Sequence, residues 1–180
     1  MAKKRLATVW LGGCSGCHMS LLDIDERILE IAKLADIVKC PLVDCKDFPL
    51  ADVALVEGAV TSDEHYNEML HIRKMSKVVV AFGDCAVMSN VTGMRNYYKL
   101  QAVLEASYTD ALSDDGKGSM PNDDLLLKLQ PRVVPLNEVV PIDYYLPGCP
   151  PDADSIFYVL NELLNDRKPV LNASKALHYG

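Results

Sequence analysis

The sequence predicts an α/β domain: a doubly wound, mostly parallel sheet with helices on both faces. Three observations predict it. Short runs of strand-forming residues alternate with segments of helical periodicity along most of the 180 residues, and such alternation implies parallel strands joined by crossover helices. One run, Val78-Val79-Val80-Ala81-Phe82, is wholly apolar, as a strand covered on both faces should be. Several runs end in glycine-containing turns. Right-handed crossovers bring such strand ends to one edge of the sheet, where open α/β folds bind their ligands. At about 150 residues per domain, the length fits one domain over 1–180.

The elements follow in order. Residues 6–11 read as a first strand that stops at Gly12-Gly13. Residues 19–35 then carry helical spacing, with Leu21, Ile24, Ile28, Ile31 and Ala35 on one face. Residues 36–43 read as a second strand, with Pro41 marking an edge or an end. Residues 51–56 make a third, ending at Glu57-Gly58. Ser62 can cap a helix running to about residue 75, and Asp63 and Glu64 suit its first turn. Residues 77–82 are the apolar strand, and 103–112 look helical. The polar stretch 113–124, with Asp114-Asp115-Gly116 and Pro121-Asn122, reads as a surface loop. Residues 133–135 and 141–146 are short extended pieces, the latter running into Pro147-Gly148. Pro150-Pro151 introduces a helix over 154–164, and 166–180 reads as a tail.

Composition narrows the function. There are 18 Lys plus Arg against 25 Asp plus Glu, a formal charge of −7, which disfavours a nucleic-acid partner. No apolar run approaches the roughly 18 residues of a membrane span, so no membrane insertion is expected. Lys3-Lys4-Arg5 followed by residues 6–11 and Gly12-Gly13-Cys14 mimics a leader, but the apolar stretch is shorter than such leaders use. A cytoplasmic protein is expected, and there thiols stay reduced. Six cysteines are then better suited to metal or redox chemistry than to disulfides.

Position separates these cysteines. Cys14 and Cys17 follow the first strand as Cys14-Ser15-Gly16-Cys17. Cys85 follows the apolar strand through Gly83-Asp84, and Cys149 follows the last short strand through Pro147-Gly148. Three strand ends thus carry the same feature and can converge on one edge as a four-thiolate site. Glycines there let the backbone approach a bulky inorganic group and donate N–H bonds to its sulfurs. A turn into a helix N-terminus also favours the thiolate. Taken singly, each cysteine could be a small buried hydrophobe, and the Cys-x-x-Cys pair could be a redox dithiol. Four thiolates could hold zinc. The spacings of 3, 68 and 64 residues contain only one close pair, which suits a cubane cluster spanning several loops better than a zinc staple. Cys40 falls inside a predicted strand and reads as core. Cys45, just past that strand in Val43-Asp44-Cys45-Lys46, is a rival ligand but lacks the glycine turn.

Gly13-Cys14-Ser15-Gly16-Cys17-His18, Glu57-Gly58, Gly83-Asp84-Cys85-Ala86 and Pro147-Gly148-Cys149-Pro150-Pro151 together resemble, in order, the motifs of [NiFe]-hydrogenase small subunits. The resemblance runs from Val9 to about Leu164 and looks closest to the short small subunits of the cytoplasmic bidirectional, NAD(P)-linked (Hox-type) enzymes. A respiratory complex I subunit is related, but it carries two adjacent cysteines in the first motif, where Ser15-Gly16 separate Cys14 from Cys17 here. The resemblance implies a flavodoxin-like domain holding one [4Fe-4S] cluster, proximal to the active site, on Cys14, Cys17, Cys85 and Cys149. Longer relatives carry two further clusters in a C-terminal part; none is expected here, since no cysteine follows Cys149. One departure stands out: many relatives have a small residue before the third cysteine and a glycine pair soon after it, where this chain has Asp84 and Val87-Met88-Ser89-Asn90.

The resemblance also implies a role. The nickel-iron centre needs two Cys-x-x-Cys pairs, as the family's large subunit supplies; this chain has one, already assigned. The expectation is an electron relay within an oxidoreductase acting on hydrogen, between the NiFe site of the large subunit and a diaphorase with Fe-S clusters and flavin that serves NAD(P). Glu57 resembles the family's glutamate, with a role at the large-subunit interface or in proton traffic, or as a capped loop carboxylate. His18 could donate to the cluster or a partner, though a surface histidine is the simpler expectation. An FMN-binding electron carrier is the alternative, since the fold permits FMN at the strand ends, but no Ser- and Thr-rich phosphate loop follows the first strand. A zinc-stapled interaction domain is another.

Overall fold

A computed structural model describes residues 2–43, 45–111, 113, 115 and 118–171. The strands are β1 (Lys4–Trp10), β2 (Ala35–Lys39), β3 (Ala51–Glu57), β4 (Val60–Ser62), β5 (Ser76–Phe82), β6 (Leu129–Val134) and β7 (Tyr144–Leu146). The α-helices are α1 (Gly16–Leu22), α2 (Ile28–Leu34), α3 (Asp63–Met75), α4 (Asp84–Met88), α5 (Asn90–Gly93), α6 (Leu100–Tyr108) and α7 (Ala153–Leu164). Five strands form one parallel sheet in the order β2-β1-β3-β5-β7. Counting only these strands, the order is 2-1-3-4-5, the flavodoxin-like doubly wound topology.

Strand alternation sorts side chains to two faces. Leu6, Val53, Leu55, Val80 and Phe82 pack with Ile24, Ile31, Ile156 and Leu160 of the α1, α2 and α7 side. Ala7, Val9, Ala54, Val56, Val79 and Ala81 pack with Met69 and Ile72 of α3. The small side chains on this second face let α3 lie close to the sheet. Register lines up one row across the carboxyl ends of four strands: Trp10, Glu57, Phe82 and Leu146 are successive partners. Three of the four are apolar, so the single carboxylate stands in an apolar row beneath the loops.

Several expectations change. The helix predicted over 19–35 is broken into α1, a 3-10 turn at Asp25–Arg27 and α2, because Asp25 takes φ 53°. The apolar spacing survives the break: Ile24, Ile31 and Ala35 are all buried. The second strand ends at Lys39 rather than 43, so Cys40 lies beyond it and is half-buried, not a core residue. The extended piece at 133–135 belongs to β6, which pairs antiparallel with the three-residue β4 outside the main sheet; Pro131 is tolerated on such an edge. Ser62 caps α3 by accepting from His65 N at 3.2 Å. Of the predicted loop 113–124, positions 121–124 are exposed and 118–124 lie outside strands and helices, while 114, 116 and 117 fall outside the described residues. The tail is described only to residue 171. Among the described residues no helix is long and apolar enough to cross a membrane.

Candidate metal centre

Three turns at the carboxyl edge carry the candidate ligands. The first leaves β1. Leu11 N donates to Glu57 O at 2.8 Å, and Gly12 and Ala59 exchange backbone bonds of 3.0 and 2.8 Å, so the turns after β1 and β3 are stitched together. Ser15 then takes φ 67° and opens α1. Cys14 is exposed and Cys17 is buried, 7% exposed.

The second turn leaves β5 at Gly83, whose φ is 84°. A Cβ there would lie 2.1 Å from Cys17 Sγ. Glycine is required twice over, by conformation and by the sulfur lying against it. Cys85 follows in the first turn of α4 and is half-buried. The third turn leaves β7 through Gly148 (φ 135°) and a cis Cys149–Pro150 bond, with Cys149 exposed.

Asp84, which departs from the small residue of the resembled motif, joins the second turn to the third. Its Oδ1 accepts from Gly148 N at 2.7 Å, while its own N–H donates to Gly148 O at 2.9 Å. Ser20 of α1 donates to Pro151 O at 2.5 Å and joins the first turn to the third. The partner lies 64 positions away, so no local pattern in the sequence announces this bond.

Electrostatics shows the convergence. Burial pushes the Cys17 thiol far up, with further upward pushes from Glu57, Cys85, Cys14 and Cys149. Burial pushes Cys85 up too, and Cys14 and Cys149 act in the same sense, while the nearby backbone amides of Thr92 and Val91 act against them. Cys17 feels the other three thiols, and Cys85 feels Cys14 and Cys149. Cys45 Sγ donates to Asp47 O at 3.1 Å. The expectation that a helix N-terminus favours the thiolate fails at Cys17, where burial and Glu57 dominate. No three of the His, Cys, Asp and Glu side chains among the described residues are placed to share one metal ion.

His18 corrects the sequence reading. It is buried, 7% exposed, not a surface residue. Its ring stands edge-on to Trp10 and Phe82, and Nδ1 donates to Glu57 Oε2 at 2.5 Å. Glu57, 2% exposed, also accepts from His18 N at 3.0 Å and Cys17 N at 3.3 Å. The strand-end carboxylate thereby ties the first amides of α1 to β3. The turn after Cys85 explains the second departure from the motif: Ser89 and Asn90 take φ 70° and 30°, the region glycine favours, at a cost of roughly 1–2 kcal/mol per residue.

The donor set fits an iron-sulfur core. Four cysteines lie on three turns that are bonded to one another, and a glycine leaves space against one sulfur, a setting in which proteins hold such clusters.

The sequence profile described as "NADH ubiquinone oxidoreductase, 20 Kd subunit" matches residues 14–163, a span that includes all four cysteines. The chain belongs to that family. It is 36% identical over 168 residues to the NAD-reducing hydrogenase HoxS subunit delta of Cupriavidus necator, covering 92% of this chain and 80% of that one. It is 37% identical over 169 residues to one subunit of the F420-non-reducing hydrogenase of Methanothermobacter marburgensis, covering 91% of this chain and 54% of that one. The chain thus spans about half the length of the methanogen relative. A chain of the NAD+-reducing [NiFe]-hydrogenase structure in the H2-reduced state superposes with a TM-score of 0.94 at 36% identity, over 99% of this chain and 100% of that one. The Ni-Fe-Se hydrogenase of Desulfomicrobium baculatum, at TM-score 0.57 and 18% identity, shares the fold. These homologues are hydrogenase subunits, oxidoreductases acting on hydrogen.

Proposed function

We propose that this chain is the electron-transfer small subunit of an NAD(P)-linked [NiFe]-hydrogenase, holding one proximal [4Fe-4S] cluster on Cys14, Cys17, Cys85 and Cys149. The observation that carries the reading is the convergence of these four thiols, from three separate strand ends, on one edge of the sheet. A cubane core is wider than a single ion, and each thiolate binds its own iron. That agrees with four cysteines that act on one another while no three are placed to share one ion; in a zinc site four sulfurs crowd to about 2.3 Å from one metal. When bound, the cluster supplies one-electron transfer at a potential set by burial and hydrogen bonds to sulfur.

The chain's own residues hold and screen that site. Glycines at 83 and 148 keep the backbone close, and Asp84 and Ser20 lock the three turns together. Glu57 is read as an anchor: it accepts two backbone amides of α1 and pairs with His18. With it in place, a proton role would require the anchor to release. Unchanged hydrogen-driven activity in Glu57→Gln with normal assembly would remove the proton role. Exposed Trp10 and Met19 beside the first turn, and Met88, Val91 and Met94 beside Cys85, form an apolar rim suited to a large subunit bearing the NiFe site. Diaphorase subunits with flavin would take the electrons onward, in the cytoplasm.

The test is anaerobic purification of the assembly containing this chain, followed by iron and sulfide analysis and EPR of the reduced protein. About four irons and four sulfides assigned to this chain support the reading. Zinc in their place, or release of FMN in its stead, overturns it.

A further inference from the structure

Two neighbouring segments carry basic residues and no acidic ones. Residues 88–104 include Arg95 and Lys99, and residues 125–137 include Lys128 and Arg132. Acidic residues return outside them, at Glu105, Asp124 and Glu138. The whole chain has a formal charge of −7, so these cations stand against an acidic background. The fold joins the two segments into one surface: Asn96 Nδ2 donates to Val133 O, and Val133 N donates to Asn96 Oδ1, both at 2.7 Å.

The charges on this surface are unspent. Among the described residues, six other cations pair with carboxylates of the chain. Lys99, Lys128 and Arg132 are exposed, and among the described residues none of their side chains has a carboxylate partner. Arg95 gives Nη2 to Thr61 O at 3.2 Å, while its Nη1 is buried without a hydrogen-bond partner.

The same surface is apolar and aromatic. Tyr97 is 84% exposed and Tyr98 70%. Met88, Met94, Tyr97 and Arg132 line a cavity of about 460 Å³, in which Glu138 is the one carboxylate. Ser89 lines it too, and its hydroxyl is buried without a hydrogen-bond partner. Tyrosine, methionine and arginine gathered around an open cavity are the side chains that protein-binding surfaces favour. A scattered exposed apolar residue needs no explanation, but these share one cavity.

We propose that this face, from Met88 to Lys99 and along β6, docks an acidic surface of another protein in the assembly, whose carboxylates meet Lys99, Lys128 and Arg132 and whose side chains enter the cavity. That the protein is a hydrogenase subunit rests on the reading above; the charge of its surface does not. Opposite charge steers such a partner in and fixes its register. The acidic remainder of a second copy of this chain is complementary as well. Seated there, however, it would make a head-to-tail contact, which builds rings or open filaments rather than a closed pair. A different protein is therefore the occupant.

The experiment treats the anaerobically purified assembly with a water-soluble carbodiimide, which joins amines to carboxylates in contact, and maps the products by peptide mass spectrometry. The expected product joins Lys99 or Lys128 to an Asp or Glu of another subunit. In parallel, dissociation of that subunit is measured at low and high ionic strength, for the unsubstituted chain and for Lys99→Glu combined with Arg132→Glu. The double reversal weakens binding about tenfold or more at low salt, and the difference shrinks at high salt. Lys99→Arg leaves binding unchanged. An affinity untouched by the double reversal overturns the proposal. So do crosslinks that join Lys99 and Lys128 only to copies of this chain, and so does a chain that purifies alone at low salt. Should the double variant lose its fold, Lys99→Gln is judged by the same loss of affinity. Failure of the hydrogenase reading shows separately, as absence of a four-iron cluster in the unsubstituted protein, and leaves both measurements readable.

Discussion

The four clustered cysteines fall into two pairs that the fold treats differently. Cys17 is buried and Cys85 half-buried: Cys17 is braced from below by Gly83 and the Glu57–His18 pair, and Cys85 sits in the first turn of α4. Cys14 and Cys149 are exposed, on turns held by backbone bonds and by the Asp84 and Ser20 side chains. The difference teaches how such a domain can serve a relay. One side of the site is fixed and desolvated, which sets the electronic environment. The other side is exposed, which in the proposed relay would keep the path for an electron to a partner short.

Substituting one member of each pair should separate the two roles. Cys17→Ser is expected to remove essentially all cluster iron and sulfide and also to lower the Tm of the metal-free chain, because it buries a hydroxyl in an apolar slot at a cost of about 1–3 kcal/mol. Cys149→Ser is expected to reduce cluster content as well, yet to leave the metal-free Tm unchanged. Equal Tm losses in the two variants would erase the distinction.

Next in size is Gly83→Ala. The added Cβ meets the Cys17 sulfur and demands a left-handed alanine, so cluster content should fall by more than half, with a stability loss of about 2–3 kcal/mol in thermal or denaturant unfolding. Retention of full iron would show that the two turns are not in contact. Asp84→Ala is smaller: it leaves Gly148 N without its acceptor, at about 1–2 kcal/mol, and should make cluster loss under a chelator faster without abolishing assembly. Smallest is Cys45→Ser, which should leave iron, sulfide and the EPR signal unchanged; loss of the cluster there would move a ligand to Cys45.

The same contrast marks what sequence could reveal. The parallel sheet was legible because its strands are long apolar runs between helical patterns, and the cysteines were legible because each follows a strand through glycine. The pairing of β4 with β6 was not, since the three residues of β4 carry too little periodicity to be recognised and only the end of β6 read as extended. His18 was misplaced because its burial is decided by Glu57, a residue 39 positions away, which no local pattern encodes. The break in the 19–35 helix turns on the left-handed Asp25, and aspartate tolerates that region without demanding it. By contrast, Ser89-Asn90 takes positive φ without glycine, and asparagine is a residue that accepts that region.

In the proposed assembly, hydrogen chemistry at the large subunit can be measured apart from electron relay through this chain. In the assembly carrying Cys17→Ser, the exchange of hydrogen isotopes with water should persist, while hydrogen-driven reduction of NAD(P) should fall at least a hundredfold. Reduction of NAD(P) at an undiminished rate in that variant would contradict the account.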